Sequence, residues 1–181
     1  MKKIFCLIFL TMLNLSSYAT EKTIPLEKKV DDSDAIAVGK IISVELGEIG
    51  TYTNIPPIIP SDIWPNKRQM ATITFEVTER LYGDLASQVS FITYSWRFKK
   101  DNGDPQTTTV GFNLKCKDGE EYLVYLKKLN EVYYLAFDSN QYLVHADTTK
   151  DLVQILAHDY DEYVSLEVRK KDLEKLIKQK K

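Results

Sequence analysis

Cysteine is nearly absent from this chain of 181 residues, which contains only Cys6 and Cys116. Cys6 lies in an N-terminal apolar run that we expect to be removed, so the mature chain would keep one thiol and no internal disulfide. Free cysteines are among the most buried residues, and the lysines on both sides of Cys116 favour a core-facing thiol with solvated neighbours. The alternatives are a thiol paired with a second chain or a reactive thiol.

The motifs of common catalytic and cofactor sites are also missing. The sequence has no G-x-S-x-G nucleophile elbow, no phosphate-binding glycine loop, no HExxH and no CxxC. His145 and His158 could each act as a general base, and Cys116 with one of them would be the minimum for thiol catalysis. Because acid, base and nucleophile do not cluster, we predict a protein that is not an enzyme and has no cofactor. A hydrolase with residues scattered along the sequence is the alternative.

The densest run of ligand-type side chains is His-Asp-Tyr-Asp-Glu at residues 158–162. On a helix, His158 and Glu162 would share one face and could hold zinc, and the carboxylates could bind calcium. Short acidic runs are usually solvated, however, and no further ligand is visible. We therefore predict no metal site.

A positive net charge, which is usual for nucleic-acid binders, is lacking. The formal net charge is −2, and loss of Lys2 and Lys3 would leave 22 basic residues against 26 acidic ones, a net charge of −4. Residues 169–181 nevertheless hold seven basic and two acidic residues. Lysines favour a helix C-terminus, where the dipole is negative. A weak contact of this basic tail with an anionic surface is the alternative.

No hydrophobic run is long enough to span a bilayer, which takes about 20 residues. The apolar run at residues 4–13 follows Lys2 and Lys3 and precedes the small residues Ser17 and Ala19. This order is typical of a secretory signal peptide. We predict cleavage after residue 19 and export to the periplasm or the cell exterior, with an uncleaved anchor as the alternative.

Alternating apolar residues predict strands through the middle of the chain. The clearest is 70–80, where Ile73, Phe75 and Val77 would face the core. In the first strand, Gly39 indicates a bulge or bend, and five apolar residues share one parity: Ile36, Val38, Ile42, Val44 and Leu46. The other predicted elements are a short helix within 20–34 and strands at 35–46, 89–96, 107–112, 121–127, 132–137 and 141–144. Their close spacing indicates an antiparallel meander.

After residue 148 the pattern becomes helical, and neither glycine nor proline occurs after Gly119. The first predicted helix opens at a capping-box-like pair and continues with residues at intervals of four: Thr148, Asp151, Leu152, Leu156 and Tyr160. Ser165 is the predicted cap of a second helix, which carries the basic tail. We therefore divide the chain into a signal peptide (1–19), a β domain (20–147) and a helical segment (148–181).

Three segments occur in a characteristic order: 33–41 (SDAIAVGKI), 79–84 (ERLYGD) and, soon after Cys116, 119–125 (GEEYLVY). In this order the chain resembles, over about residues 30–137, bacterial secreted proteins related to the netrin module and to tissue inhibitors of metalloproteinases. The resemblance implies an OB-type fold, a closed five-stranded barrel with helices packed outside. We therefore predict a mainly β protein: a five- to six-stranded antiparallel OB-like barrel with one or two C-terminal helices. Another small barrel or a sandwich is the alternative.

Two departures from that family limit what the resemblance implies. The animal inhibitors act through a cysteine at the mature N-terminus that binds the protease metal, whereas this mature chain would begin at Thr20. The usual disulfide partner of a cysteine at the position of Cys116 is also absent. A protease inhibitor that does not use an N-terminal cysteine therefore remains only an alternative function.

The segment between the first two predicted strands is the strongest candidate for a binding surface. Residues 47–69 contain four prolines and two glycines, which argue against a strand or helix. Exposed apolar side chains usually mark a contact surface, and prolines reduce the ordering entropy lost on binding. We predict that the 52–65 loop holds a protein partner through Tyr52, Ile55, Ile58, Ile59, Ile63 and Trp64. The alternative is that these side chains plug one end of the barrel.

The predicted strands are also rich in tyrosine, namely Tyr122, Tyr125, Tyr133, Tyr134 and Tyr142. Aromatic rings on a strand surface can form a stacking platform for a sugar or a base. In a small barrel they more often fill the interior and cover the rim, which is the interpretation we favour.

Overall fold

The computed structural model describes residues 24–51, 67–95, 98–99, 105–106, 121–136, 142–157 and 160–180. Within these ranges the protein is mainly β, with ten strands and two helices. The elements are α1 (Leu26–Asp32), β1 (Ala35–Thr51), β2 (Lys67–Tyr82), β3 (Gln88–Ser95), β4 (Phe98–Lys99), β5 (Pro105–Gln106), β6 (Glu121–Leu129), β7 (Val132–Leu135), β8 (Leu143–Asp147), β9 (Leu152–Ala157), β10 (Tyr160–Ser165) and α2 (Leu166–Lys180). The predicted signal peptide and the predicted strand at 107–112 lie outside the described residues. No described helix is long and apolar enough to cross a bilayer.

Five strands close into a barrel in the order β1–β2–β3–β7–β6, with β6 pairing back to β1. The predicted mainly β, OB-like barrel with a C-terminal helix is therefore confirmed. One feature differs from the predicted meander, because β3 and β7 run parallel while the other neighbouring pairs in the barrel are antiparallel. Closure explains the difference: strand direction cannot alternate all the way around a ring with an odd number of strands.

Alternate side chains of the barrel strands fill its interior. On β2, Ala71, Ile73 and Phe75 are fully buried, whereas Glu76 and Thr78 face solvent. The Phe75 ring meets the Phe91 ring of β3 edge-on, with 6.0 Å between centroids. The inward face predicted for β2 is thus confirmed at its buried residues.

β1 bends at Gly39, as the sequence predicted. Its register against β2 shifts between Val38 and Gly39, and a Cβ on Gly39 would lie 2.0 Å from the carbonyl oxygen of Glu76. Only glycine allows this close backbone approach. A further shift in the β1–β2 register leaves Ile42 without a partner on β2, and its side chain is 53% exposed. The prediction that Ile42 faces inward with the other apolar residues of its parity is therefore wrong. Each bulge adds a residue and resets the alternation of side chains.

β8, β9 and β10 extend the sheet outward from β6, and we call these three strands the sheet extension. β6 pairs with β7 through residues 126–129 and with β8 through 121–124, so β8 occupies the edge of β6 that β7 leaves. α2 packs against β9, β10 and β2 and also contacts α1. Barrel and extension share one continuous hydrophobic core, to which α2 contributes Leu166, Leu173 and Ile177.

The first predicted C-terminal helix is wrong, because its residues form β9 and β10. Thr148 and Asp151 belong to the turn between β8 and β9. Apolar residues spaced by four fit a helix, but they also fit a strand, since four residues are two full periods of a strand. The second predicted helix is confirmed as α2, and the Oγ of Ser165 accepts a hydrogen bond from the N–H of Val168 at 3.2 Å.

Candidate functional site

The predicted binding loop is attached to the barrel by β1 and β2. These strands pair as far as Thr51 opposite Lys67, so the segment 52–66 leaves and re-enters the fold at one cross-strand pair. The Cα atoms of such a pair are only about 4.5–5.5 Å apart. The six predicted contact residues themselves lie outside the described residues: Tyr52, Ile55, Ile58, Ile59, Ile63 and Trp64.

Each strand of this β1–β2 ribbon also pairs with a further strand of the barrel. β1 pairs with β6 through residues 35–40, and β2 pairs with β3 through residues 69–76. Residues 35–38 of β1 are all buried, so both faces of the strand are covered there. The last two pairs of the ribbon, at residues 50–51 and 67–68, extend past the end of the β2–β3 pairing. The 52–65 loop is therefore attached at one end of the β1–β2 ribbon, and the other end of the ribbon packs in the hydrophobic core.

Several charges of the basic tail are engaged within the molecule. The Nζ of Lys180 donates hydrogen bonds to the carbonyl oxygens of Val30 (2.7 Å) and Ser33 (2.6 Å) at the C-terminal end of α1. Lys170 pairs with Glu79 of β2, and Lys171 pairs with Glu167 within α2. These contacts agree with a structural role for part of the tail. Contact of the tail with an anionic surface stays a prediction.

Two of the five tyrosines attach α1 to the sheet. The rings of Tyr125 and Tyr142 meet edge-on with 5.8 Å between centroids, and the Tyr142 hydroxyl donates to Asp32 of α1 at 2.6 Å. Burial raises the pKa of both phenols well above the ordinary value, and for Tyr142 the hydrogen bond to Asp32 adds to the effect. The Nζ of Lys29 lies 5.8 and 5.9 Å from the two ring centroids. These side chains are structural.

The tyrosines do not share one surface. Tyr122 and Tyr125 are three residues apart on β6 and therefore point to opposite faces of the strand. Tyr133 is half-buried and donates its hydroxyl to the carbonyl oxygen of Asp84 at 2.9 Å. The arrangement favours the structural interpretation over a stacking platform built from these five rings.

His145 lies on β8, directly opposite Tyr122 of β6, and the two rings meet edge-on with 5.9 Å between centroids. Among the described residues, no carboxylate forms an ion pair with His145, and no three ligand-type side chains are arranged to hold a metal ion. Cys116 and His158 lie outside those residues. Within the described residues, Tyr122 therefore lies beside His145. Thiol catalysis by Cys116 and a metal site at residues 158–162 are not tested.

The far side of the sheet extension was not predicted, because its residues were assigned to a helix. Gln154 of β9 lies opposite Tyr163 of β10, and the Tyr163 side chain is 45% exposed. The alternation of Val153 with Gln154 and of Val164 with Tyr163 was the signal that could have identified two strands. As a result, an open strand at the end of the sheet was not anticipated.

The chain matches no protein-family model. No curated protein is significantly similar to it either. A function for this protein therefore has to be argued from its own residues and geometry.

Proposed function

We propose that this protein is an exported, non-catalytic binding module that holds a protein partner through the 52–65 loop. The observation that supports this most is the position of the loop between Thr51 and Lys67, at the tip of a ribbon rooted in a closed barrel. Binding residues are often carried on loops that a rigid scaffold positions. A loop stiffened by four prolines would lose less conformational entropy when a partner binds.

Export and a non-catalytic role are supported by the sequence. The basic start, the apolar run of ten residues and the small residues before position 20 are typical of a cleaved signal peptide. The common catalytic motifs are missing from the whole chain. The resemblance to secreted proteins related to the netrin module also fits a binding role outside the cytoplasm.

The test replaces the apolar side chains of the loop while keeping its prolines. In the variant Ile58→Ser/Ile59→Ser/Trp64→Ser we expect an unchanged thermal unfolding midpoint and loss of the partner recovered by affinity purification from an envelope fraction. Val132→Ser is the matched control, because it removes an exposed apolar side chain on β7, 39% accessible, away from the ribbon. The control should retain the partner.

Two results would contradict the proposal. If the triple variant kept the partner, the loop would not be the contact surface. If it lost several degrees of thermal stability, the side chains would be plugging the barrel instead of facing a partner. Measuring unfolding and partner recovery on the same preparations separates these outcomes.

A further inference from the structure

Among the described residues, the sheet extension ends at β10, one edge of which has no described partner. β10 pairs with β9 over all six of its residues, without a register shift. No described residue pairs with the other edge of β10. An unpaired edge presents a row of backbone N–H and C=O groups that can pair with another chain.

The hydrogen-bond pattern identifies which residues face this open edge. The N–H of Leu166 donates to the carbonyl oxygen of Asp151 at 3.0 Å, one step beyond the last β9–β10 pair. Hydrogen-bonded and non-hydrogen-bonded pairs alternate along an antiparallel ladder. Counting back from Leu166, Val164 and Glu162 bond to β9, whereas Tyr163 and Asp161 direct their backbone groups away from the sheet.

β10 lacks several of the features that block an edge, and the charged residues that it does carry, Asp161 and Glu162, are both acidic. Natural edge strands are commonly protected by proline, lysine or a bulge, and β10 (YDEYVS) has none of them. By contrast, the β1–β2 pairing contains four register shifts. The side chains of Glu162 and Tyr163 are both exposed, so an added strand would find one acidic and one aromatic side chain along β10.

Charge selects the kind of chain that could pair there. Residues 152–165 contain three acidic residues and no lysine or arginine. Lys150, in the turn between β8 and β9, is paired with Asp147 at 2.8 Å. Lys170 and Lys171 of α2, which follows β10 directly, are paired with Glu79 and Glu167. A second copy of this strand would bring the same acidic residues to the interface and would offer no opposite charge to pair with them. An extended basic segment has the complementary charge.

We propose that the open edge of β10 binds an extended, lysine- or arginine-containing segment of a protein partner as an additional strand. In this mode the backbone hydrogen bonds supply affinity and the side chains of alternate residues supply selectivity. β10 is a different strand from β1 and β2, which flank the 52–65 loop, so this proposal does not depend on the proposed function of the loop.

The experiment uses the mature chain and fluorescein-labelled octapeptides of alternating lysine and valine, with a glutamate–valine peptide as the matched control. We expect saturable binding of the lysine peptide by fluorescence anisotropy and at least tenfold slower hydrogen exchange at the Asp161 and Tyr163 amides. The glutamate peptide should not bind. The proposal would be overturned if the lysine peptide did not bind saturably, or if protection from hydrogen exchange were confined to other strands. It would also be overturned if the protein dimerised through β10 in sedimentation experiments.

Two variants test the edge directly. Tyr163→Pro removes a backbone N–H that does not bond to β9, and edge strands tolerate proline at such positions. This variant should lose peptide binding. Tyr163→Ala keeps the N–H and should weaken binding less. If the proline variant does not fold, the variant Asp161→Lys/Glu162→Lys tests the proposal instead. It should bind the glutamate peptide in preference to the lysine peptide. An unchanged preference would refute the proposal. The loop variant Ile58→Ser/Ile59→Ser/Trp64→Ser should bind the lysine peptide normally, which separates this test from that of the loop.

Discussion

The barrel and the sheet extension differ in how their strand edges are satisfied. In the barrel, pairing of β6 with β1 closes the ring, and Phe75 and Phe91 are fully buried inside it. The extension is covered by α2 but ends at β10, where Tyr163 is 45% exposed. Closure removes edges and maximises burial, whereas an open sheet keeps backbone groups available for other chains. Because the two regions share one hydrophobic core, the comparison indicates that they differ in how their strand edges are paired and not in having independent stability.

The largest effect is expected in the barrel. Phe75→Ala removes a fully buried ring that packs against Phe91, and such truncations cost about 3–5 kcal/mol of unfolding free energy. Urea unfolding followed by circular dichroism measures the loss. Glu76→Ala, on an exposed site of the same strand, is the control and should change little. A loss below about 1 kcal/mol for Phe75→Ala would show that the barrel interior relaxes around the vacancy.

The second prediction concerns the extension. Leu173 of α2 is fully buried in the core that the two regions share. Leu173→Ala should cost about 2–5 kcal/mol and still give one cooperative transition, because one continuous core joins barrel and extension. Hydrogen exchange should show β8–β10 and the barrel strands opening together. A variant in which β8–β10 lose protection while the barrel keeps it would show that the extension is an independent unit.

The sequence predicted the barrel better than the extension for a physical reason. The strands that form the barrel alternate over many residues, as at Ala71, Ile73 and Phe75, and such a pattern has one interpretation. Residues 152 and 156 are compatible with helix and strand alike, and pairing of β9 with β8, which is a tertiary contact, decides between them. Ile42 was misassigned because bulges are not visible in a regular alternation. The candidate loop was found from its prolines and apolar side chains, whereas the open edge of β10 required the strand order.

A third prediction tests the attachment of α1 to the barrel side. Burial raises the pKa of Tyr125 and Tyr142 above the ordinary tyrosine value of 10.0. Their neutral forms are favoured in the folded state, so this stabilisation is fully present below pH 10 and decreases as the pH rises further and the unfolded phenols ionise. Spectrophotometric titration should show at least two tyrosines, Tyr125 and Tyr142, that ionise only when the protein unfolds. Tyr142→Phe should reduce that number by one.

The same variant separates packing from hydrogen bonding. Tyr142→Phe keeps the ring against Tyr125 but removes the donor to Asp32, and a loss of about 0.5–1.5 kcal/mol is expected. Tyr133→Phe, whose hydroxyl bonds to the exposed carbonyl of Asp84, is the control with a smaller expected change. If both tyrosines of the buried pair ionised reversibly in the folded protein near pH 10, the described packing of α1 would be wrong.

The smallest predicted effect lies where the extension joins α2. Asp151 has a positive φ of 54°, and its carboxylate accepts hydrogen bonds from the Ser165 hydroxyl (2.5 Å) and the Glu167 N–H (2.8 Å). These hydrogen bonds hold the pKa of Asp151 below its ordinary value, and the bond from Ser165 has the largest effect. The stabilisation is therefore present above the ordinary pKa of 3.8 and is lost as the pH falls through the lower, folded-state pKa.

Asp151→Asn tests this contribution, because asparagine tolerates positive φ and can cap the helix but cannot titrate. At pH 7 we expect an unfolding midpoint close to that of the original protein, whereas below pH 4 the original should lose stability faster than the variant. Asp147 also has a lowered pKa, caused chiefly by its bond to Lys150, so the difference between the two pH curves isolates Asp151. Parallel curves would mean that the turn before β9 does not couple to α2, and that the extension is held by apolar burial alone.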